Sequence, residues 1–278
     1  MKYPLKNLFI ILFWTILCGL IGLISAPYVG VKVEPLKIDP LLLAGLVIGL
    51  MLAGATMWYF LIKKTKIQID DVFITLTAFV IADLAAHFGV GSSGNWIDNT
   101  LALLAVFLIA MLCYAYIVKQ MQASWEGTKR YMWASNLFNV LFISAAACLI
   151  GSMAPPIAAV LIFAGAAVYD AVAVWKLGTM QVMAHAFLDK RIIPGVGFAK
   201  EEEGKFGILG GGDLFFLVFV PVSFFKSSPV TMFWLMGAEF VGLLALFAMS
   251  RKEKSYPALP YMFAPIVVVL ITLFVMTR

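Results

Sequence analysis

The chain has 278 residues, of which 63% are hydrophobic and only 13% charged, and its mean hydropathy is +1.00. A soluble domain of this length needs far more polar surface than that composition supplies, so the sequence predicts a protein surrounded by a lipid bilayer. The formal charge of +5 needs no nucleic-acid partner to explain it, because the basic residues cluster between apolar segments.

Nine segments are long and apolar enough to be membrane helices, which need about 20 residues each. In chain order these spans cover approximately residues 8–29, 41–62, 72–90, 100–118, 131–153, 156–175, 206–225, 229–250 and 258–277. The first segment lacks a convincing signal-peptide cleavage site, so we interpret it as a retained helix. The sequence therefore predicts an all-α membrane protein with nine transmembrane helices, forming a single polytopic domain over residues 1–278.

The distribution of Lys and Arg predicts the orientation of this domain, because these residues favour cytoplasmic loops. With the N-terminus inside, sixteen of the twenty Lys and Arg residues fall in inside segments. We therefore expect a cytoplasmic N-terminus and an outside C-terminus. Spans one to six then occupy about 8–175, a cytoplasmic loop occupies about 176–205, and spans seven to nine occupy about 206–277.

Carboxylates within the spans need a physical reason, because a charge at the bilayer centre costs about 2.5–3.5 kcal/mol on insertion scales. Asp170 lies six residues before Lys176, about 9 Å from the inner end of span six. Asp213 lies eight residues after Lys205, about 12 Å inside if that stretch is helical. The topology thus brings both acids to a similar depth from the same face, on consecutive helices.

Two carboxyl groups at one depth can divide the work of acid–base hydrolysis. Like charges a few ångströms apart cannot both ionise cheaply, so one carboxyl keeps a proton and the other acts as a base. Such a pair can activate a water and protonate a leaving amine without a metal or a covalent intermediate. We expect no metal or other cofactor, since Cys18, Cys113 and Cys148 lie within spans and show no metal-binding spacing.

Three glycines, Gly210, Gly211 and Gly212, precede Asp213 and favour an irregular helix start that a second backbone can approach. An extended peptide could lie there, because non-helical backbone at membrane depth is tolerated where it faces protein or a watery cavity. Alternatively, the glycines only pack helices together and the two acids pair with other partners. Spacing and depth leave both interpretations open.

Three short motifs occur in order along the second half of the chain. They are "YD" at 169–170, "GGGD" at 210–213, in the form G-x-G-D, and "PAL" at 257–259. This ordered set resembles the presenilin and signal peptide peptidase family of intramembrane aspartyl proteases, most closely the microbial, archaeal presenilin homologues. The resemblance implies an aspartic endopeptidase that cleaves transmembrane proteins or peptides within the cell membrane.

The resemblance also implies roles for individual residues. Asp170 and Asp213 are implied to be the catalytic pair, and Tyr169 is implied to shape the site beside the first acid. The residues implied to shape the site or to help position the substrate are Gly210, Gly211, Gly212, Pro257, Ala258 and Leu259. Gly211 stands where presenilins usually have a larger residue, a departure that bears on substrate preference. The predicted orientation matches the presenilin branch, which implies substrates whose N-termini lie outside; whether the protein is a homo-oligomer stays open.

Other classes of membrane protein share parts of this pattern. A proton-coupled transporter also uses glycine-broken helices and paired intramembrane acids, although the sequence has no clear internal repeat. Prepilin-type peptidases share the G-x-G-D acid but do not explain the "YD" and "PAL" motifs. The "GSSG" sequence at 91–94 imitates a rhomboid serine motif without a suitably placed histidine.

Three further polar residues lie within spans. Asp83 and His87 are four residues apart and therefore on one face of span three, where they form either a proton path or, as we expect, a structural pair directed at the bundle interior. Glu239 lies deep in span eight, where it either hydrogen-bonds a neighbour or holds a proton, and we expect the structural role.

Overall fold

The structure is a computed structural model of the chain. It describes residues 5–32, 37–64, 125–180, 182–183, 195–199, 206–249 and 256–276. The spans predicted at 72–90 and 100–118 lie outside these residues, and so do Asp83, His87, Cys113 and the "GSSG" sequence.

The described part of the chain is nearly all helical. Its elements are α1 (Leu5–Lys32), α2 (Pro40–Lys64), α3 (Trp125–Met153), α4 (Pro156–Val172), β1 (Gly195–Ala199), β2 (Phe206–Gly210), α5 (Gly211–Ser223), α6 (Pro229–Met249) and α7 (Ala258–Met276). A π-helical turn over Ala173–Leu177 continues α4. Five of the described helices contain an apolar stretch long enough to cross a membrane, namely α1, α3, α4 with its π-turn, α6 and α7.

The span predicted at 206–225 is wrong at its start, because residues 206–210 form a strand. β2 pairs antiparallel with β1, with Gly195 opposite Gly210 and Ala199 opposite Phe206. The loop predicted at 176–205 correspondingly contains β1. Each strand carries two glycines, which are poor helix formers, and this favours the extended hairpin over a helix. The depth calculated for Asp213 assumed a helix from Lys205 and is therefore also wrong, since strand residues rise about 3.3 Å each.

Helix α5 lies at the centre of the bundle. It packs against α1, α3, α4 and α6, and both strands of the hairpin contact it as well. From Leu214 to Ser223 almost every side chain of α5 is buried. The sequence that follows the "GGGD" motif is thus the innermost helix of the described fold.

Large apolar side chains cover the outer faces of the bundle. Val268, Phe274 and Val275 of α7 and Leu41 and Leu46 of α2 are all exposed. A surface of this kind is stable in lipid and would aggregate in water. Together with the five apolar helices, it identifies a membrane protein.

Helices α6 and α7 approach each other closely at Gly242. A Cβ atom at this position would lie within 3 Å of backbone atoms of Tyr261 and Met262. We expect Gly242→Ala to lower the free energy of unfolding by about 1–3 kcal/mol, because backbone must move to admit the methyl group. Thermal unfolding of the purified protein in detergent micelles measures this change.

Gly237→Ala on the same helix is the matched control. A Cβ atom there meets no described atom within 4 Å, and alanine is the better helix former by about 0.8–1.0 kcal/mol. The control is therefore expected to match or exceed the wild-type melting temperature. Equal losses in both variants would show that α6 and α7 are not packed as described.

Candidate functional site

Asp170 lies near the end of α4, where it contacts the start of α7. Its side chain is 9% exposed, and the N–H of Leu259 donates to its Oδ2 atom at 3.2 Å. Leu259 belongs to the first turn of α7, where backbone N–H groups have no partner within the helix. The "PAL" motif therefore gives the buried acid a hydrogen bond from backbone, and Ala258 and Leu259 are themselves buried against it.

Asp213 is the third residue of α5, and its carboxyl group turns back toward the start of that helix. Its Oδ2 atom accepts a hydrogen bond from the N–H of Gly210 at 3.2 Å. Gly210 is both the last residue of β2 and the residue that caps α5. An acid at this position is also favoured by the positive end of the helix dipole. The second acid is thus fixed at the junction of the hairpin and the central helix.

The two acids are brought near each other by the packing of their helices. Helix α4, which carries Asp170, packs directly against α5, which carries Asp213. An aromatic cluster joins the same helices: Phe163 stacks on Phe216 with ring centroids 4.7 Å apart, and meets Phe263 of α7 edge-on at 5.3 Å. Phe163 precedes Asp170 by two helical turns and Phe216 follows Asp213 by about one, so each ring shares a face with its acid. The cluster thereby holds α4, α5 and α7 together beside the acids.

The remaining residues of the three motifs border the acids in different ways. Tyr169 and Gly211 are half-buried and Pro257 is buried. Gly212 is exposed, and a Cβ atom there would meet no described atom within 4 Å. Among the described residues, Asp213 is therefore uncovered on its Gly212 side, while the "PAL" side of Asp170 is packed.

The outer edge of β2, which is the side that does not pair with β1, lies next to Asp213. Gly197 of β1 directs both its N–H and its C=O away from β2, toward Asn136 of α3. Ile208, opposite Gly197, must therefore direct its own backbone groups away from β1, because the pair exchanges no hydrogen bonds. The described sheet has two strands, so no third described strand covers this edge.

Other chemistry-bearing side chains in the described part of the chain do not join the acid pair. Cys18 and Cys148 are buried free thiols, and no group of three or more His, Cys, Asp or Glu side chains there is arranged to hold a metal ion. Glu239 is 0% exposed. Neither of its carboxyl oxygens has a hydrogen-bond partner among the described residues, so the expected structural bond is not found there.

Two buried residues near the site, Asn136 and Asn139 of α3, were not selected from the sequence. Both are 2% exposed, and both hydrogen-bond to the backbone of β1. The signal available in the sequence was a pair of amides three residues apart, hence on one face of an otherwise apolar helix.

No protein-family model matches the sequence, and no curated protein matches it. Among solved structures, the fold is similar to that of a presenilin family intramembrane aspartate protease in space group P2. The TM-score is 0.63 and the identity 17%, over 95% of this chain and 96% of that chain. A structure of a presenilin family intramembrane aspartate protease in space group C222 gives a TM-score of 0.59 at 17% identity, covering 94% of each chain. The resemblance carried by the three motifs thus extends to the fold: nearly the whole chain has the fold of presenilin-family intramembrane aspartate proteases.

Proposed function

We propose that the protein is an intramembrane aspartic endopeptidase of the G-x-G-D type, which hydrolyses peptide bonds within the transmembrane helices of other membrane proteins. The observation that carries the proposal is the pair Asp170 and Asp213, which lie on two helices that pack against each other and each accept a hydrogen bond from a separate backbone N–H. Helix capping alone would explain Asp213, but it does not require a second buried acid beside it. The shared fold supports the same conclusion.

In the proposed reaction the two carboxyl groups exchange protons with water and substrate. One carboxylate removes a proton from a water, whose oxygen adds to the carbonyl carbon, while the protonated carboxyl donates its proton to the carbonyl oxygen. The first carboxyl then gives its proton to the leaving nitrogen. The second takes back a proton from the gem-diol as the C–N bond breaks, so the pair returns to its starting state.

A substrate helix must unwind before its peptide bonds can reach the acids, because intrahelical hydrogen bonds hide them. The outer edge of β2 at Ile208 offers replacement partners, and an unwound segment can add there as a further strand. Such a strand would run toward Asp213, past the open side at Gly212. We assign Tyr169, Gly210, Gly211 and residues 257–259 to shaping this site.

The proposal includes the topology. We propose one polytopic domain over residues 1–278 in the cell membrane, with nine spans, the N-terminus cytoplasmic and the C-terminus outside. The support is the bias of Lys and Arg toward the inside segments. Substrates are then transmembrane proteins with their N-termini outside.

The topology predicts opposite accessibility of the two chain ends. In intact spheroplasts, an epitope tag after Arg278 is expected to be removed by added protease, and a tag before Met1 is expected to survive until the membrane is lysed. Immunoblotting of both tags makes the measurement. Removal of both tags, or of the N-terminal tag alone, from intact cells would contradict the orientation.

Replacing either acid by its amide is expected to abolish cleavage. Asp170→Asn and Asp213→Asn keep the shape of the side chain but prevent the pair from sharing a proton, so we expect a loss of about 10²- to 10⁴-fold, the range for positioned acid–base groups. The measurement is mass spectrometry of a labelled transmembrane peptide incubated with the purified variants, whose folding is checked by thermal unfolding.

Glu239→Gln is the control for these variants, because it makes the corresponding acid-to-amide change at a fully buried membrane acid outside the pair. It is expected to retain cleavage. Full activity of Asp170→Asn or Asp213→Asn would refute the proposal. A wild-type protein that cleaves nothing but drives proton-coupled uptake would favour the transporter instead.

The hydrogen bond from Leu259 to Asp170 can be removed without touching the acid. Leu259→Pro deletes the N–H donor within the first turn of α7, where proline removes no intrahelical hydrogen bond, whereas Leu259→Ala keeps the donor and shortens the side chain. Because a hydrogen bond to a charged group contributes about 1.5–3 kcal/mol, we expect kcat/KM of the proline variant to fall about 10- to 100-fold below that of the alanine variant. Equal kcat/KM values in the two variants would show that the backbone donor does not matter.

A further inference from the structure

Helix α3 holds the hairpin through two side-chain amides. The Nδ2 of Asn136 donates to the C=O of Gly197 at 2.8 Å, and the N–H of Gly197 donates back to its Oδ1 at 2.8 Å. The Nδ2 of Asn139 donates to the C=O of Gly195 at 2.7 Å. Both amides are buried, so these bonds form away from solvent.

The bonds made by Asn136 are those that a third strand would make. In an antiparallel sheet a residue exchanges one N–H and one C=O bond with its partner on the neighbouring strand, and the amide of Asn136 supplies both to Gly197. The outer edge of β1 is therefore closed by α3. Within the described sheet, the outer edge of β2 is left to accept an added strand.

The register of the hairpin is also fixed by contacts between its two strands. Phe198 lies over Gly207 on the opposite strand, where a Cβ atom would collide with its ring. Gly195 has φ +153°, and a Cβ atom there would collide with the backbone of Leu209. A shift of β1 along β2 would break both of these contacts. The position of β2 is therefore fixed relative to β1, and through β1 relative to α3.

We infer that Asn136 and Asn139 are positioning residues that determine which substrate peptide bond is cut, an inference that rests on the proposed function. β2 ends at Gly210, whose N–H donates a hydrogen bond to the carboxyl group of Asp213. By fixing β1 against α3, the two amides set the height of the β2 edge relative to the acid pair. That height decides which bond of an added strand lies opposite the two carboxyl groups.

The test compares cleavage positions as well as rates. Asn136→Ala removes both bonds to Gly197 and leaves the acids intact. Incubated with a labelled synthetic transmembrane peptide, it is expected to spread cleavage over neighbouring bonds and to lower kcat/KM about tenfold, the effect of leaving one buried backbone pair unsatisfied. Asn136→Asp keeps an acceptor for the N–H of Gly197 but loses the donor, and is expected to give an intermediate spread.

Ser144→Ala on the same helix is the matched control. Ser144 is fully buried, and its hydroxyl donates to the C=O of Val140 at 2.5 Å and lies 3.2 Å from the C=O of Cys18, rather than bonding to the hairpin. It is expected to cut at the wild-type bonds even if its melting temperature falls. A merely structural role for Asn136 would likewise lower stability and total cleavage while leaving the product pattern unchanged, and that result would overturn the inference.

The failure of the inference can be told apart from the failure of the proposed function. Wild-type cleavage with unchanged products in every Asn136 variant refutes the positioning role and leaves the protease proposal standing. No cleavage by the wild type refutes both. If Asn136→Ala fails to fold, Asn136→Asp and Asn139→Ala supply the product patterns. Hydrogen exchange at the Gly197 amide, slow in the wild type and at least about tenfold faster in a folded variant, checks the anchor without any substrate.

Discussion

Two carboxyl groups inside a membrane bundle take their hydrogen bonds from backbone N–H groups at the starts of helices. This constraint holds whatever the acids do chemically, because backbone donors within a helix are already used and only the first turn has N–H groups to spare. Leu259 supplies one such donor to Asp170, and Gly210 supplies the other to Asp213. Because each acid needs a donor at the start of a helix, α5 and α7 must each begin at the membrane depth at which one of the two acids lies.

The hairpin is the second consequence of the same constraint. If α5 is to begin inside the bundle, the chain before it must arrive there in a non-helical form, and its backbone groups need partners. β1 pairs with β2 on one side, while Asn136 and Asn139 pair with β1 on the other. The edge of β2 next to Asp213 remains for a substrate strand in the proposed reaction. A structural solution for burying extended backbone therefore also provides a place for substrate.

The sequence predicted the helices and the acids better than the hairpin, for physical reasons. Long apolar runs and Lys/Arg clusters predict most boundaries of the described helices to within a few residues. "FGILG" was predicted as helix because it is apolar and adjoins the apolar run of α5, while its partner "GVGFA" lies 11 residues upstream and the pairing leaves no local signal. Asn136 and Asn139 were not selected from the sequence, because what they bind is set by tertiary packing. The "PAL" motif located the start of α7, and only the fold showed its N–H reaching Asp170.

The most direct measurement of the central claim is an experimental structure of the protein bound to a transition-state mimic of aspartic proteases that carries a hydroxyl group in place of the scissile bond. We predict that this hydroxyl lies within hydrogen-bond distance of both Asp170 and Asp213, with the flanking backbone of the mimic paired to the edge of β2. A mimic that contacts neither carboxyl group, or two carboxyl groups that face separate surfaces in the complex, would contradict it.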